Sequence, residues 1–119
     1  MDSAGNEIGA APLELDRSND GYGRVCLAVT GEVDISNLDR LREAVAAVLA
    51  EPHVTGLLLD LTPLDFIDSS GVQVLMLAKQ VADRRGIGFA LINAHGEVRR
   101  VLAILGVDRI LAATEQRRL

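Results

Sequence analysis

The sequence lacks much of what many functions require. Cys26 is the single cysteine in 119 residues, which excludes an internal disulfide and any multi-cysteine zinc site. There is no tryptophan, and aromatic residues make up only 3%, too few for a base-stacking surface. No apolar run approaches the roughly 20 residues needed to cross a bilayer. The opening stretch MDSAGNEIGAAP has neither the basic nor the apolar region of a secretory signal, so a cytoplasmic location is expected. Lysine and arginine number 12 against 17 aspartates and glutamates, a net charge of −5. A chain of that sign repels phosphate backbones and anionic headgroups, so neither nucleic acid nor a membrane is an expected partner. There is no G-x-x-x-x-G-K-[ST] and no G-x-G-x-x-G; Gly86-Ile87-Gly88 reads as a helix stop followed by a strand. No cofactor is implied. No internal repeat is visible.

What is present is the balance of a globular domain, with 49% apolar and 24% charged residues, enough to fold without disulfides or metal. Residues 1–11 are small and polar and read as a flexible arm, leaving one domain over 12–119. Pro12–Asp16 alternates as a half-buried strand, Ser18–Gly21 is a turn signal, and Arg24–Thr30 is a second strand, making an antiparallel hairpin. Gly31–Asp34 then reads as a loop. A helix follows with Ser36 as N-cap and Leu38, Leu41, Val45, Val48 and Leu49 as its apolar stripe, and Pro52 ends it. Gly56–Leu61 is a nearly continuous apolar strand. Thr62–Asp68 reads as a loop, Ser70–Arg85 as a helix stopped by Gly86, and Ile87–Ile92 as a strand. Glu97–Leu105 is a third helix capped by Gly106, and Ile110–Ala113 reads as a short edge strand.

The pattern predicts an α/β fold: a mixed, mostly parallel sheet of four to five strands packed with about three helices, joined by right-handed crossovers. Loops leaving the C-terminal ends of parallel strands gather on one edge, where such folds place their sites. Asp34 and Ser69, distant in sequence, are thereby expected on one rim.

The most informative stretch is Phe66-Ile67-Asp68-Ser69-Ser70-Gly71. Two hydroxyls sit where a loop enters a helix, yet one side-chain oxygen is enough to cap it. From spacing alone two readings stand side by side. One is a polar helix cap, to which Asp68 contributes. The other is an exposed, modifiable serine at a helix N-terminus, where the dipole and free N–H groups tolerate a phosphate.

GEVD at Gly31–Asp34, followed by LLLDLTPLDFIDSSGVQVL at Leu57–Leu75, resembles the STAS domain of bacterial anti-sigma factor antagonists. The likeness spans about Leu13 to Ala113, and its specificity lies in the pairing of the two segments. The resemblance implies a binding module, not an enzyme: an unphosphorylated domain that binds an anti-sigma factor and so releases a sigma factor. It also implies that the anti-sigma factor is a serine kinase, that the phosphoacceptor is Ser69 with Ser70 as the neighbouring cap, and that a serine/threonine phosphatase restores binding. Asp34, Asp68, Ser69, Ser70 and Gly71 are the partner-binding residues it implies. Relatives commonly finish with another amphipathic helix, for which Thr114–Leu119 offers too few apolar residues.

Other readings compete. A STAS domain can regulate a complex that contains no sigma factor. A serine hydrolase needs a base and an oxyanion hole, but His53 and His95 flank no nucleophile elbow and read as surface residues. Asp34, Asp65 and Asp68 form no compact metal-ligand motif. Cys26 reads as a small core residue, with a redox-sensing thiol as the alternative. Arg84-Arg85 and Arg99-Arg100 read as solvated helix faces.

Overall fold

The computed structural model describes residues 10–109 and 111. Strands β1 (Leu13–Asn19) and β2 (Arg24–Val33) form the antiparallel hairpin, and helix α1 (Leu38–Leu49) follows. Then come β3 (Gly56–Asp60), β4 (Leu64–Ile67), α2 (Ser69–Arg84), β5 (Gly88–Ile92) and α3 (Gly96–Ile104). The sheet is five-stranded and mixed. Its main path is β1-β2-β3-β5, with β4 paired to β2, and only the β1–β2 pairing is antiparallel.

Alternation along β2 explains the layering. Val25, Leu27, Val29 and Val33 are buried, while Cys26, Ala28 and Thr30 are half-buried on the opposite face. The first set joins Leu57, Leu59, Phe89 and Leu91 in one core with Leu41, Val45, Val48 and Leu49 of α1 and Val72, Leu75 and Ala82 of α2. The helical stripe read from the sequence is thus the face that packs, with Leu38 only partly buried at its start.

Several boundaries move. β1 runs three residues past the expected Asp16, so the turn begins at Asp20, whose carboxylate accepts from the Tyr22 and Arg24 amides. Gly31–Val33 is not a loop but the end of β2. Gly31 has φ of +108°, and a Cβ there would stand 2.2 Å from the Pro12 carbonyl oxygen. Only glycine lets residues 11–12 approach this closely.

The largest correction is β4, inside the expected loop Thr62–Asp68. Its register steps from Gly31↔Leu64 to Glu32↔Phe66. The skipped residue, Asp65, is a bulge that breaks the two-residue period, and so Leu64 and Ile67 both face the core. An apolar spacing of three does not read as a strand, and this one forms because β2 is long enough to pair with two successive strands along one edge.

The expected edge strand at 110–113 is also overturned where it is described. Asp108, Arg109 and Leu111 are helical, and the Leu111 amide bonds the Val107 carbonyl at 3.1 Å. The rest of that segment lies outside the described residues, as do residues 1–9 of the expected arm and the terminal Thr114–Leu119. Ala11 is anchored rather than loose: its amide donates to Ser36 Oγ and its carbonyl accepts from Asn37 Nδ2.

Candidate functional site

The sheet brings Asp34 and the Asp68–Gly71 segment together through β2 and β4. Val33 pairs with Ile67 at the end of both strands, and the Asp68 amide donates to the Val33 carbonyl at 3.1 Å. The next residues, Asp34 and Asp68, therefore leave adjacent parallel strands side by side, about 4.8 Å apart in the pairing direction.

The rim is stepped. β3 ends at Asp60 opposite Ala28, five residues short of Val33, which at about 3.3 Å per residue is roughly 16 Å lower. Of the expected loop Thr62–Asp68, only its last residues reach the level of Asp34.

The first turn of α2 separates the two serines. Asp68 is the N-cap: its backbone is extended (φ −99°, ψ −180°) and its Oδ1 accepts from the Gly71 amide at 3.0 Å. Ser70, expected to be the cap, instead donates its hydroxyl to the same oxygen at 2.6 Å. A carboxylate preceding the helix is as good a cap as a hydroxyl and reaches the third helical N–H from outside the first turn. Ser69 is the first helical residue rather than one outside the helix. It is exposed, and its hydroxyl has no protein partner among the described residues. Asp68→Ala should cost about 0.5–2 kcal/mol by removing the cap, while Asp68→Asn should stay near wild type. Thermal melts followed by circular dichroism measure both, and equal losses would show that capping is not the role of Asp68.

Gly71 is buried because α2 sits directly on the strand ends. A Cβ there would stand 2.7 Å from both Ile67 Cγ1 and Val33 Cγ1. The glycine thus sets the distance between Ser69 and the Asp34 loop.

Asp34 is half-buried in a turn of its own. Its Oδ1 accepts from the Ser36 amide at 2.8 Å and from the Ser36 hydroxyl. This corrects the expected cap of α1: Ser36 lies before the helix and Asn37 occupies the N-cap position, with no side-chain cap bond. Asn37 is the site residue that sequence reasoning missed. It is 4% exposed and donates to Ala11 and Glu32 carbonyls while accepting from the Asp34 amide. Its position ahead of a helix signals only a cap, and nothing local signals burial.

No ion pair among the described residues involves Asp34, Asp65 or Asp68. Among the described residues the rim is therefore an acidic surface without a paired cation. Beside it project Ile35, 80% exposed, and Phe66, 36% exposed.

A second polar cluster occupies the lower step. Asp60 Oδ1 accepts from the Thr62 amide, the Thr62 hydroxyl at 2.7 Å and Asn93 Nδ2 at 3.1 Å. Asn93 holds a left-handed φ of +63°. His95 Nε2 lies 2.6 Å from the Thr62 carbonyl oxygen, so it is the protonated nitrogen. The Thr62 hydroxyl, with its amide and Asn93 adding to it, holds the Asp60 carboxyl below its ordinary value against the opposing effect of burial. Asp60 thus stabilises the fold above its unfolded pKa of about 3.9, and this contribution is lost as pH falls through its lower folded value. Melting temperature measured from neutral to acidic pH should therefore fall more steeply below about pH 4 in wild type than in Asp60→Asn. Parallel curves would refute this.

His95 is engaged by Thr62, not by a serine. Among the described residues no group of three or more His, Cys, Asp or Glu is placed to hold a metal. Burial, and secondarily Asp60, push the Cys26 thiol up, the opposite of a reactive thiolate. No helix among the described residues is long and apolar enough to cross a membrane.

A mixed five-stranded sheet with a paired rim, where a strand-end aspartate meets a D-S-S-G helix start, defines a small α/β domain with its polar residues gathered at the strand ends. The chain belongs to the STAS domain family, whose family model matches residues 16–117. It is 27% identical over 90 residues to the anti-sigma-F factor antagonist RsfB of Mycobacterium tuberculosis, covering 76% of this chain and 72% of that protein. Among solved structures it resembles the anti-sigma factor antagonist SpoIIAA in its unphosphorylated form, with a TM-score of 0.70 and 21% identity over 80% of this chain and 83% of the other. An anti-sigma factor antagonist from Mycobacterium paratuberculosis superposes with a TM-score of 0.69 and 23% identity, covering 86% of this chain and 83% of the other.

Proposed function

We propose that this chain is a cytoplasmic anti-sigma factor antagonist that works by partner switching. Unphosphorylated, the rim formed by Asp34, Asp68, Ser69, Ser70 and Gly71 docks on an anti-sigma factor of the serine-kinase type, and a sigma factor is released. Transfer of the ATP γ-phosphate to the Ser69 hydroxyl, leaving ADP, ends the association. A serine/threonine phosphatase reverses it. The chain is a substrate and a binding module with no catalysis of its own.

The observation that carries this reading is the division of labour between the serines. Ser70 spends its hydroxyl on the capping carboxylate, whereas Ser69 stands exposed at the helix N-terminus with its hydroxyl unbonded among the described residues. Free N–H groups and the helix dipole there tolerate a phosphate without unfolding the helix. The acidic rim favours a basic docking surface. The relative RsfB, named an anti-sigma-F factor antagonist, supports the partner class.

The test is incubation with a kinase-type anti-sigma factor and ATP, followed by phosphosite mapping. Ser69→Ala should abolish labelling and Ser70→Ala should retain it. A phosphate that maps to Ser70, or labelling of Ser69→Ala at the wild-type level, refutes the assignment.

A further inference from the structure

We propose that Asn37 is the positioning residue of this rim: it holds the Asp34 loop beside Asp68–Ser70 in the arrangement the partner meets. The inference rests on the reading of the rim as a docking face. Asn37 is the one buried polar side chain among the described residues. It stands at the N-cap position of α1, where asparagine is favoured because its side-chain oxygen can accept from the second or third helical N–H. Here it makes no such bond. Its amide faces backwards, away from its own helix.

Both amide donors are used, at 2.9 Å to the Ala11 carbonyl and 2.8 Å to the Glu32 carbonyl, and Oδ1 accepts from the Asp34 amide at 3.1 Å. The amide orientation is fixed by these partners, since two carbonyls require the nitrogen and one N–H requires the oxygen. The backbone closes the same circuit, because the Asn37 amide donates to the Asp34 carbonyl at 3.2 Å. A second path runs through Ser36, whose hydroxyl accepts from the Ala11 amide and donates to Asp34 Oδ1. The Asp34 backbone and carboxylate are thus tied, through Asn37 and Ser36, to residue 11 and to the strand that pairs with β4. A buried amide is tolerated only when its bonds are made, and every bond of this one goes to the strand end, the strap at residue 11 or Asp34. None goes to the helix it precedes.

A purely structural role would lower stability and affinity together, so the test includes a variant that loses stability elsewhere. Val48→Ala opens the core at the far end of α1, away from the rim. Amide hydrogen exchange and anti-sigma factor affinity are measured on the full chain for wild type, Asn37→Ser, Asn37→Thr and Val48→Ala. The binding probe is the anti-sigma factor that phosphorylates the wild-type chain. Asn37→Ser should speed exchange of the Asp34 amide about tenfold or more relative to the β3 and β5 amides, and weaken binding by about tenfold. Asn37→Thr, whose hydroxyl offers the same donor and acceptor as that of serine, should behave like Asn37→Ser. Val48→Ala should speed exchange generally and leave affinity within about twofold. If Asn37→Ser lowers affinity no more than Val48→Ala, or leaves Asp34 protected, the inference is overturned while the docking reading stands. Failure of the wild-type chain to bind or be phosphorylated overturns the docking reading, and this inference with it.

Discussion

Phosphorylation of Ser69 is expected to weaken anti-sigma factor binding by roughly thirty-fold to a few thousand-fold while leaving the domain folded. The phosphate adds about −1.5 to −2 charges. In the free protein it meets the N-terminus of α2, which favours it by roughly 0.3–1 kcal/mol. The Asp68 cap is already engaged with the Gly71 amide and the Ser70 hydroxyl, so its bonds need not be broken to accommodate the new group. In the proposed complex the phosphate would meet a surface that accepted a neutral hydroxyl, beside Asp34 and Asp68, which have no ion-pair partner among the described residues. Burying that charge unmatched costs on the order of 2–5 kcal/mol, and each 1.4 kcal/mol is about tenfold in affinity. The interface penalty exceeds the helix gain, so association is lost and the fold is kept. Ser69→Glu should reproduce the effect in part, since a carboxylate carries less charge in a different shape. Calorimetric titration of wild type, phosphoprotein and Ser69→Glu, with a melt of each, decides the matter. Equal affinities would refute the mechanism, as would affinity lost only in step with folding.

Gly71→Ala should destabilise the domain, although alanine is ordinarily the better helix former. The helix gains up to about 1 kcal/mol from the substitution. Against this, the new methyl would sit 2.7 Å from carbon atoms of Val33 and Ile67, side chains 0% and 1% exposed. Both are β-branched and stiff, so neither can retreat without moving its strand. Overpacking of this kind costs about 1–3 kcal/mol. The net loss is about 0–2 kcal/mol, seen as a fall in melting temperature of up to roughly 10 °C. Gly71→Val should lose more. The same displacement pushes Ser69 away from the Asp34 loop, so phosphorylation of Gly71→Ala should slow even at temperatures where it remains folded. A melting temperature equal to or above that of wild type would mean that helix propensity outweighs the contact and that the strand ends yield.

Much of the architecture is legible without coordinates, because it depends on periodicity within single segments. The apolar stripe Leu41, Val45, Val48 and Leu49 announces α1 and is the face that packs. Alternation of Val25, Leu27 and Val29 announces β2, and the run at Leu57–Leu59 announces β3. The motif segments GEVD and FIDSSG point to Asp34 and Ser69, and the β-α-β order leads one to expect them on one edge, although it is β4 that brings them level.

What the sequence could not decide depends on contacts between segments far apart in the chain. Strand β4 is invisible to a two-residue period because the Asp65 bulge breaks it, and it exists because β2 extends past β3 and offers Gly31–Val33 as a partner. Asp68, Ser69 and Ser70 are all plausible helix starters by residue type. Only the path of the chain off β4 makes Asp68 the cap, binds Ser70 and leaves Ser69 free. The cap read at Ser36 falls to Asn37, whose side chain makes no cap bond and is the hub that joins residue 11 to the end of β2. Propensity and periodicity are properties of neighbours in sequence, so a segment carries them wherever it is placed. Hydrogen-bond partners and close approaches are properties of neighbours in space, and they arise only when the strands and helices are assembled.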